Sequence, residues 1–287
     1  MTAMRIRKIL VALTGADSDS ATAETACTVG GLFAARVEGL FARPRPEDAI
    51  AFVGEGMSSA VVGEIVEAAA KETKARADKA GAAFAAACKA HGYTIGEAGG
   101  SGTAAWSEVE GLTDVVIAEH GRLADLVVLG HPGGDEPDRT SIAVEGALFD
   151  SGTPVLLAGP KAAAEPSSSV VIAWDGSARA AAAVRGALPF LKRAKSVLIL
   201  SIGNVDEIVP SPADLVDYLA LHDIHATTST MKADGAAGER IVEGAAAEGA
   251  TLLVMGAYGH SRLREMVLGG ATRSVLDKAG LPVLMAH

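Results

Sequence analysis

The stretch GAYGHSRLREMVLGG, residues 256–270, is entered from the apolar run TLLVM at 251–255 and left by ATRSVLDKAGLPVLMAH at 271–287. It places glycines directly after a buried-looking strand and directly before a helix. That helix stops at Gly280, with Pro282 just beyond, as helices do when a glycine relieves the last turn. In open α/β sheets ligands settle outside the carboxyl ends of the strands, where a helix N-terminus offers unpaired N–H groups and a positive dipole end to an anion. Glycines there bring bare amides close to a phosphate. Glycines between a strand and a helix also occur simply so that elements can pack, so the pattern by itself leaves both readings open.

Working outward, the chain repeats itself. ADLVVLGHPGG (124–134) reads like ATLLVMGAYGH (250–260), and each is followed by a closing segment, SGTPVLLAG and AGLPVLMAH. ILVALTG (9–15) likewise lines up with VVIAWDG (170–176). The repeats lie further apart at their first strands than at their fourth, so the first copy carries extra residues, placed around 45–100. Most of that insert reads as one long amphipathic helix over 58–91. In the second copy the pattern predicts a strand over 170–174, a helix over 178–192, a strand over 197–202 and an edge strand within IHATTST (224–230). A helix over 238–247, a strand over 252–255, a last helix and a strand over 282–286 follow. Short, nearly unbroken apolar strands between helices imply parallel sheets covered on both faces. The expected architecture is two doubly wound, five-stranded α/β domains in tandem, residues 1–160 and 166–287, joined through GPKAAAEPSSS (159–169).

Composition narrows the function classes. With 287 residues there is room for two cores of ordinary size. The net charge of −10 sets the mean surface field against nucleic acid and anionic lipid, and no basic patch offsets it. No apolar run is long enough to span a bilayer, and the opening MRIRKILVALTGA suits a first strand better than a signal peptide. Cys27 and Cys88, the only cysteines, fit a reducing compartment as small core residues, so a soluble cytoplasmic protein is expected. HDIH (222–225) lacks further ligands close by in sequence, and no metal site is expected. No Walker loop and no nucleophile elbow is present, so no catalytic residue is assigned.

The spacing Gly-x-x-Gly, nine residues, Gly and a small residue resembles the nucleotide-binding signature of the universal stress protein family, carried here by Gly256, Gly259, Gly269 and Gly270. VVIAWDGS resembles that family's first strand, with Asp175 at the acidic position that contacts adenosine. The resemblance implies a nucleotide-binding set of Ala173, Asp175, Ile202, Met255, Gly256, Gly259, His260, Gly269, Gly270, Ala271 and Thr272. It implies ATP or another adenine nucleotide as ligand, with or without magnesium. It also implies a stress-response sensor or regulator with at most slow hydrolysis. A further implication is pairing of the two copies through their last strands, Val155 to Ala158 beside Val283 to Ala286, with a homodimer left open. Gly270 departs from the family's Ser or Thr, which removes one hydroxyl from the phosphates and keeps open a second reading, a stress-induced interaction module without nucleotide. In the first copy Thr14 replaces the acidic residue, and Asp135, Glu136 and Asp138 stand where phosphates would go, so that copy is expected to bind none. GADSDS (15–20) is a near miss to the loop of the related ATP-pyrophosphatases, with Ala16 and Asp17 in place of both central glycines.

Overall fold

The computed structural model describes residues 5–45, 59–96, 100–132, 137–162, 164–257 and 270–287. The first half runs β1 (Lys8–Leu13), α1 (Asp19–Phe33), β2 (Arg36–Arg43), α2 (Ser59–Ala90), β3 (Thr94–Ile95), β4 (Thr103–Glu110), α3 (Thr113–Gly121), β5 (Leu126–Gly130), α4 (Pro137–Asp150) and β6 (Val155–Ala158). The second runs β7 (Ser169–Ala173), α5 (Ala178–Leu191), β8 (Ser196–Ile202), a single 3-10 turn (Val205–Glu207), α6 (Pro212–Ala220), β9 (Thr227–Met231), α7 (Ala237–Ala247), β10 (Leu252–Gly256), α8 (Gly270–Lys278) and β11 (Val283–Ala286).

The strands form an α/β, mostly parallel open sheet in the order β3-β4-β2-β1-β5-β6-β11-β10-β7-β8-β9. Apolar runs explain the middle of that order. Every residue of β5, β6 and β11 is buried, whereas the hydroxyl-rich β9 lies at the rim with no buried residue. Strand order reverses at β1, which lies between β2 and β5, and again at β7, between β8 and β10. Those are the two points where such a fold opens a crevice at the strand ends.

The sheet is continuous. β6 and β11 meet antiparallel, with Leu157 opposite Val283, Leu156 opposite Leu284 and Val155 opposite Met285. The sequence leads one to expect two sheets of five, paired through Val155 to Ala158 and Val283 to Ala286. In the structure these share one 11-stranded sheet, because two fully apolar strand edges cover each other and because Thr94–Ile95 adds a short sixth strand beside β4. The cores follow suit. On one face Ile9, Val37 and Leu156 share a cluster with Val170, Phe190 and Leu284, and on the other Leu10, Val127 and Leu157 pack with Val171, Leu253 and Val283. Phe33 of α1 meets Phe190 of α5 edge to face, centroids 5.0 Å apart.

The inserted α2 packs its small-residue stripe, Ala77, Ala80, Ala87 and Cys88 with Phe84 among them, into the first cluster. Spacings of three and four residues place that stripe on one helix face, while charged residues take the other. Among the described residues no helix is long and apolar enough to cross a membrane.

Shared cores and a shared sheet imply coupled unfolding. Leu284→Ala, at a fully buried position on the junction strand, is expected to cost roughly 2–4 kcal/mol. Urea titrations of Trp106→Phe and Trp174→Phe variants, each reporting one half by fluorescence, are expected to show both midpoints falling together. Independent halves would move only the second.

Candidate functional site

Parallel registry puts the carboxyl ends of β7, β8 and β10 on one edge of the sheet. Ala173 and Met255 are buried beneath that edge, Ile202 is half-buried at the end of β8, and Asp175 is exposed just past β7. Asp175 Oδ1 accepts a hydrogen bond from the Ser177 N–H at 2.9 Å. Ser177 in turn caps α5, its Oγ accepting from Ala180 N at 3.1 Å. The serine performs the capping, so the carboxylate stays at the mouth of the crevice.

Gly256 ends β10 where α5 begins. A Cβ there would lie 2.6 Å from the Ala180 nitrogen, so the glycine is required by the approach of α5 whether or not a ligand is present. Gly270 opens α8, and among the described residues nothing lies within 4 Å of where its Cβ would stand. Ala271 is half-buried, and its carbonyl lies against Gly238 of α7, which holds the first turn of α8 in place. Thr272, 3% exposed, belongs to the buried stripe of α8 with Val275 and Leu276. It therefore lies on the inner side of the helix, not on the exposed face that Gly270 presents. Gly259, His260 and Gly269 fall outside the described residues.

One wall of the crevice was not foreseen from the sequence. Trp174 donates its indole N–H to the Pro210 carbonyl at 2.9 Å, and Ser201 donates to the Trp174 carbonyl at 3.0 Å. This pins the segment after β8 over the β7–α5 turn, where Gly176, at φ +74°, packs so closely that a Cβ on it would lie 2.7 Å from the Val209 oxygen. The signal was an aromatic at a strand end, which period-2 patterning alone assigns to the core. On the far side of that segment an open depression of about 510 Å³ is lined by Val205, Asp206, Ser211, Asp214, Thr228 and Thr230. Its two carboxylates make it unsuited to phosphate.

The first half has the same turn and fills it. Gly15, at φ +84°, corresponds to Gly176, Thr14 to Asp175 and, by strand register, Ala42 to Ile202. Above that turn lies Arg76 of α2. Its guanidinium donates to the Thr14 carbonyl at 3.0 and 2.8 Å and sits 5.7 Å from the centroid of Phe41, and its Cβ is 2.6 Å from the ideal Cβ position of Gly15. Thr14 and Phe41 are accordingly buried. Asp19, 3% exposed, accepts from the amides of Thr14 and Gly15 at 3.2 and 2.8 Å. Lys79 of α2 pairs with Asp17 at 2.5 Å. Asp135 and Glu136 lie outside the described residues, as does the side chain of Asp138.

Residues 207–287 match the model of the universal stress protein family. That match lies in the carboxyl-terminal half of the chain. A universal stress protein of Synechocystis is 48% identical over 50 residues, which is 17% of this chain and 17% of that protein. The fold extends the likeness to both halves. A universal stress protein from Archaeoglobus fulgidus matches with a TM-score of 0.64 at 17% identity, over 96% of this chain and 95% of its own. One described as putative, from Pseudomonas aeruginosa, gives 0.58 at 16%, over 97% and 92%.

Burial raises the Asp19 carboxyl to about 6, opposed by its two amide donors and by Lys79 and Arg76. The native state thus binds this proton more tightly than the unfolded chain, whose aspartates titrate near 3.9. Stability from this group is full below about pH 4 and is lost as pH rises through about 6. Compared with Asp19→Asn, the parent protein is expected to lose on the order of 2–3 kcal/mol between pH 4 and pH 7.5. Urea midpoints of both proteins at the two pH values measure this. A relative gain by the parent at high pH would show that the amides outweigh burial.

Proposed function

We propose that the second half binds an adenine nucleotide, ATP with or without magnesium, at the β7/β10 crevice and serves as a stress-response sensor or regulator rather than an enzyme. The observation that carries this is the contrast between equivalent positions. Thr14 is buried beneath Arg76 and Ala42 is buried, whereas Asp175 is exposed and Ile202 half-exposed. A helix begins at Gly270 with its exposed first residue unobstructed among the described residues, and the first N–H groups of a helix lack intrahelical acceptors. Asp175 would accept from a ribose hydroxyl, Ile202 and Met255 would offer apolar surface to the base, and the α8 amides would meet the phosphates. In this reading the two halves are separate domains, 1–160 and 166–287, and the protein is cytoplasmic.

A second reading, an interaction module without nucleotide, is favoured by one observation. Gly270 brings no hydroxyl, and Thr272 is buried.

Calorimetric titration with ATP separates the two. The nucleotide reading expects one ATP per chain. Asp175→Ala should weaken binding about tenfold, roughly 1.4 kcal/mol, while Arg76→Lys leaves it unchanged. Absence of both heat and thermal shift at millimolar ATP leaves the interaction module.

A further inference from the structure

Two thiols far apart in the sequence meet in the fold. Cys27 lies midway along α1 and Cys88 near the end of α2, both are fully buried in one core cluster, and Tyr93 joins them, its N–H donating to the Cys88 carbonyl at 2.8 Å and its hydroxyl to the Cys27 carbonyl. The neighbouring residues are small. Ala23, Ala26 and Gly30 on α1 and Ala80 and Ala87 on α2 are all buried, which allows the two helix backbones the close approach that a cystine between helices requires. The Tyr93 hydroxyl stands over the pair, 3.5 Å from the Cys27 carbonyl.

The two sulfurs are unequal. The interaction between the two thiols holds Cys88 below the ordinary thiol range, and that interaction together with burial pushes Cys27 above it. Cys88 also lies in the last turn of α2, just before Gly92, which turns at φ +72°. Opening of one helix end exposes it, while Cys27 needs opening of the helix pair.

We propose that Cys27 and Cys88 are a reversible redox pair that closes to an intramolecular disulfide on exposure to a hydroperoxide. The Cys88 thiolate attacks the peroxide, forming an S–O bond as the O–O bond breaks and hydroxide leaves. The Cys27 sulfur then attacks the sulfenic sulfur, the S–S bond forms, and the S–O bond breaks. The Cys27 proton and one proton from solvent accompany the oxygens, so two thiols lose two electrons and two protons and hydrogen peroxide becomes two waters. The product staples α2, and with it Arg76, to the first helix. The pair is independent of nucleotide binding in the second half.

The test treats the purified full-length protein with hydrogen peroxide under native conditions, with near-UV circular dichroism to confirm that it stays folded. Loss of both titratable thiols is expected, with a cross-linked peptide containing residues 27 and 88 and a mass lower by about 2 Da. The urea midpoint should rise and dithiothreitol should reverse it. Cys27→Ser should stop at a sulfenic acid on residue 88, trapped by dimedone, whereas Cys88→Ser should leave Cys27 unreacted. Thiols that survive until urea is added, sulfinic acids without a cross-link, or only intermolecular dimers would each overturn the assignment.

Discussion

The antiparallel contact of β6 with β11 is the constraint on which the architecture turns. Each strand is four residues long and buried throughout, and an edge of that kind left open is a template for pairing with other chains. Because both edges are apolar along their whole length, they satisfy each other within one chain. The junction then fixes everything beside it. It brings the helices on each face of the two halves into shared cores, and it directs the carboxyl ends of the two parallel sets in opposite senses. The crevices at β1 and β7 are therefore separated and differently furnished.

Much of this was readable in the residues. The apolar strands, the turn glycines at Gly15 and Gly176 and the internal repeat declare two α/β halves, because buried parallel strands require unbroken Val, Ile and Leu runs. Helix bounds came close for the same reason, since Ser177 marks where backbone donors need partners, although the α6 helix after the Ser211–Asp214 box was not anticipated. What escaped was long-range. Nothing local in LFARP or KARAD says that Arg76 will lie on the end of β1, since that contact depends on the rotation and length of α2 and on the room above Phe41. Nor does spacing say that Gly256 is needed by the first turn of α5.

At the candidate site the divided outcome has a physical cause. Asp175, Ile202 and Gly270 remain at a surface, where side chains are free to meet a solute. Thr272 follows the helical period into the core with Val275 and Leu276, so proximity in sequence to Gly270 did not translate into a shared face. The wall built from Trp174 and Pro210 depends on an indole finding a carbonyl many residues later, a pairing that no periodicity encodes.

Arg76 also changes what kind of object the first half is. A crevice filled by a dissolved molecule gains and loses its occupant as concentration changes, and its stability moves with it by mass action. One filled by a covalently attached guanidinium has a constant occupant at effectively fixed local concentration. At that crevice the amino-terminal half therefore depends on no dissolved occupant, a steady frame to which the more open carboxyl-terminal half is fastened strand to strand.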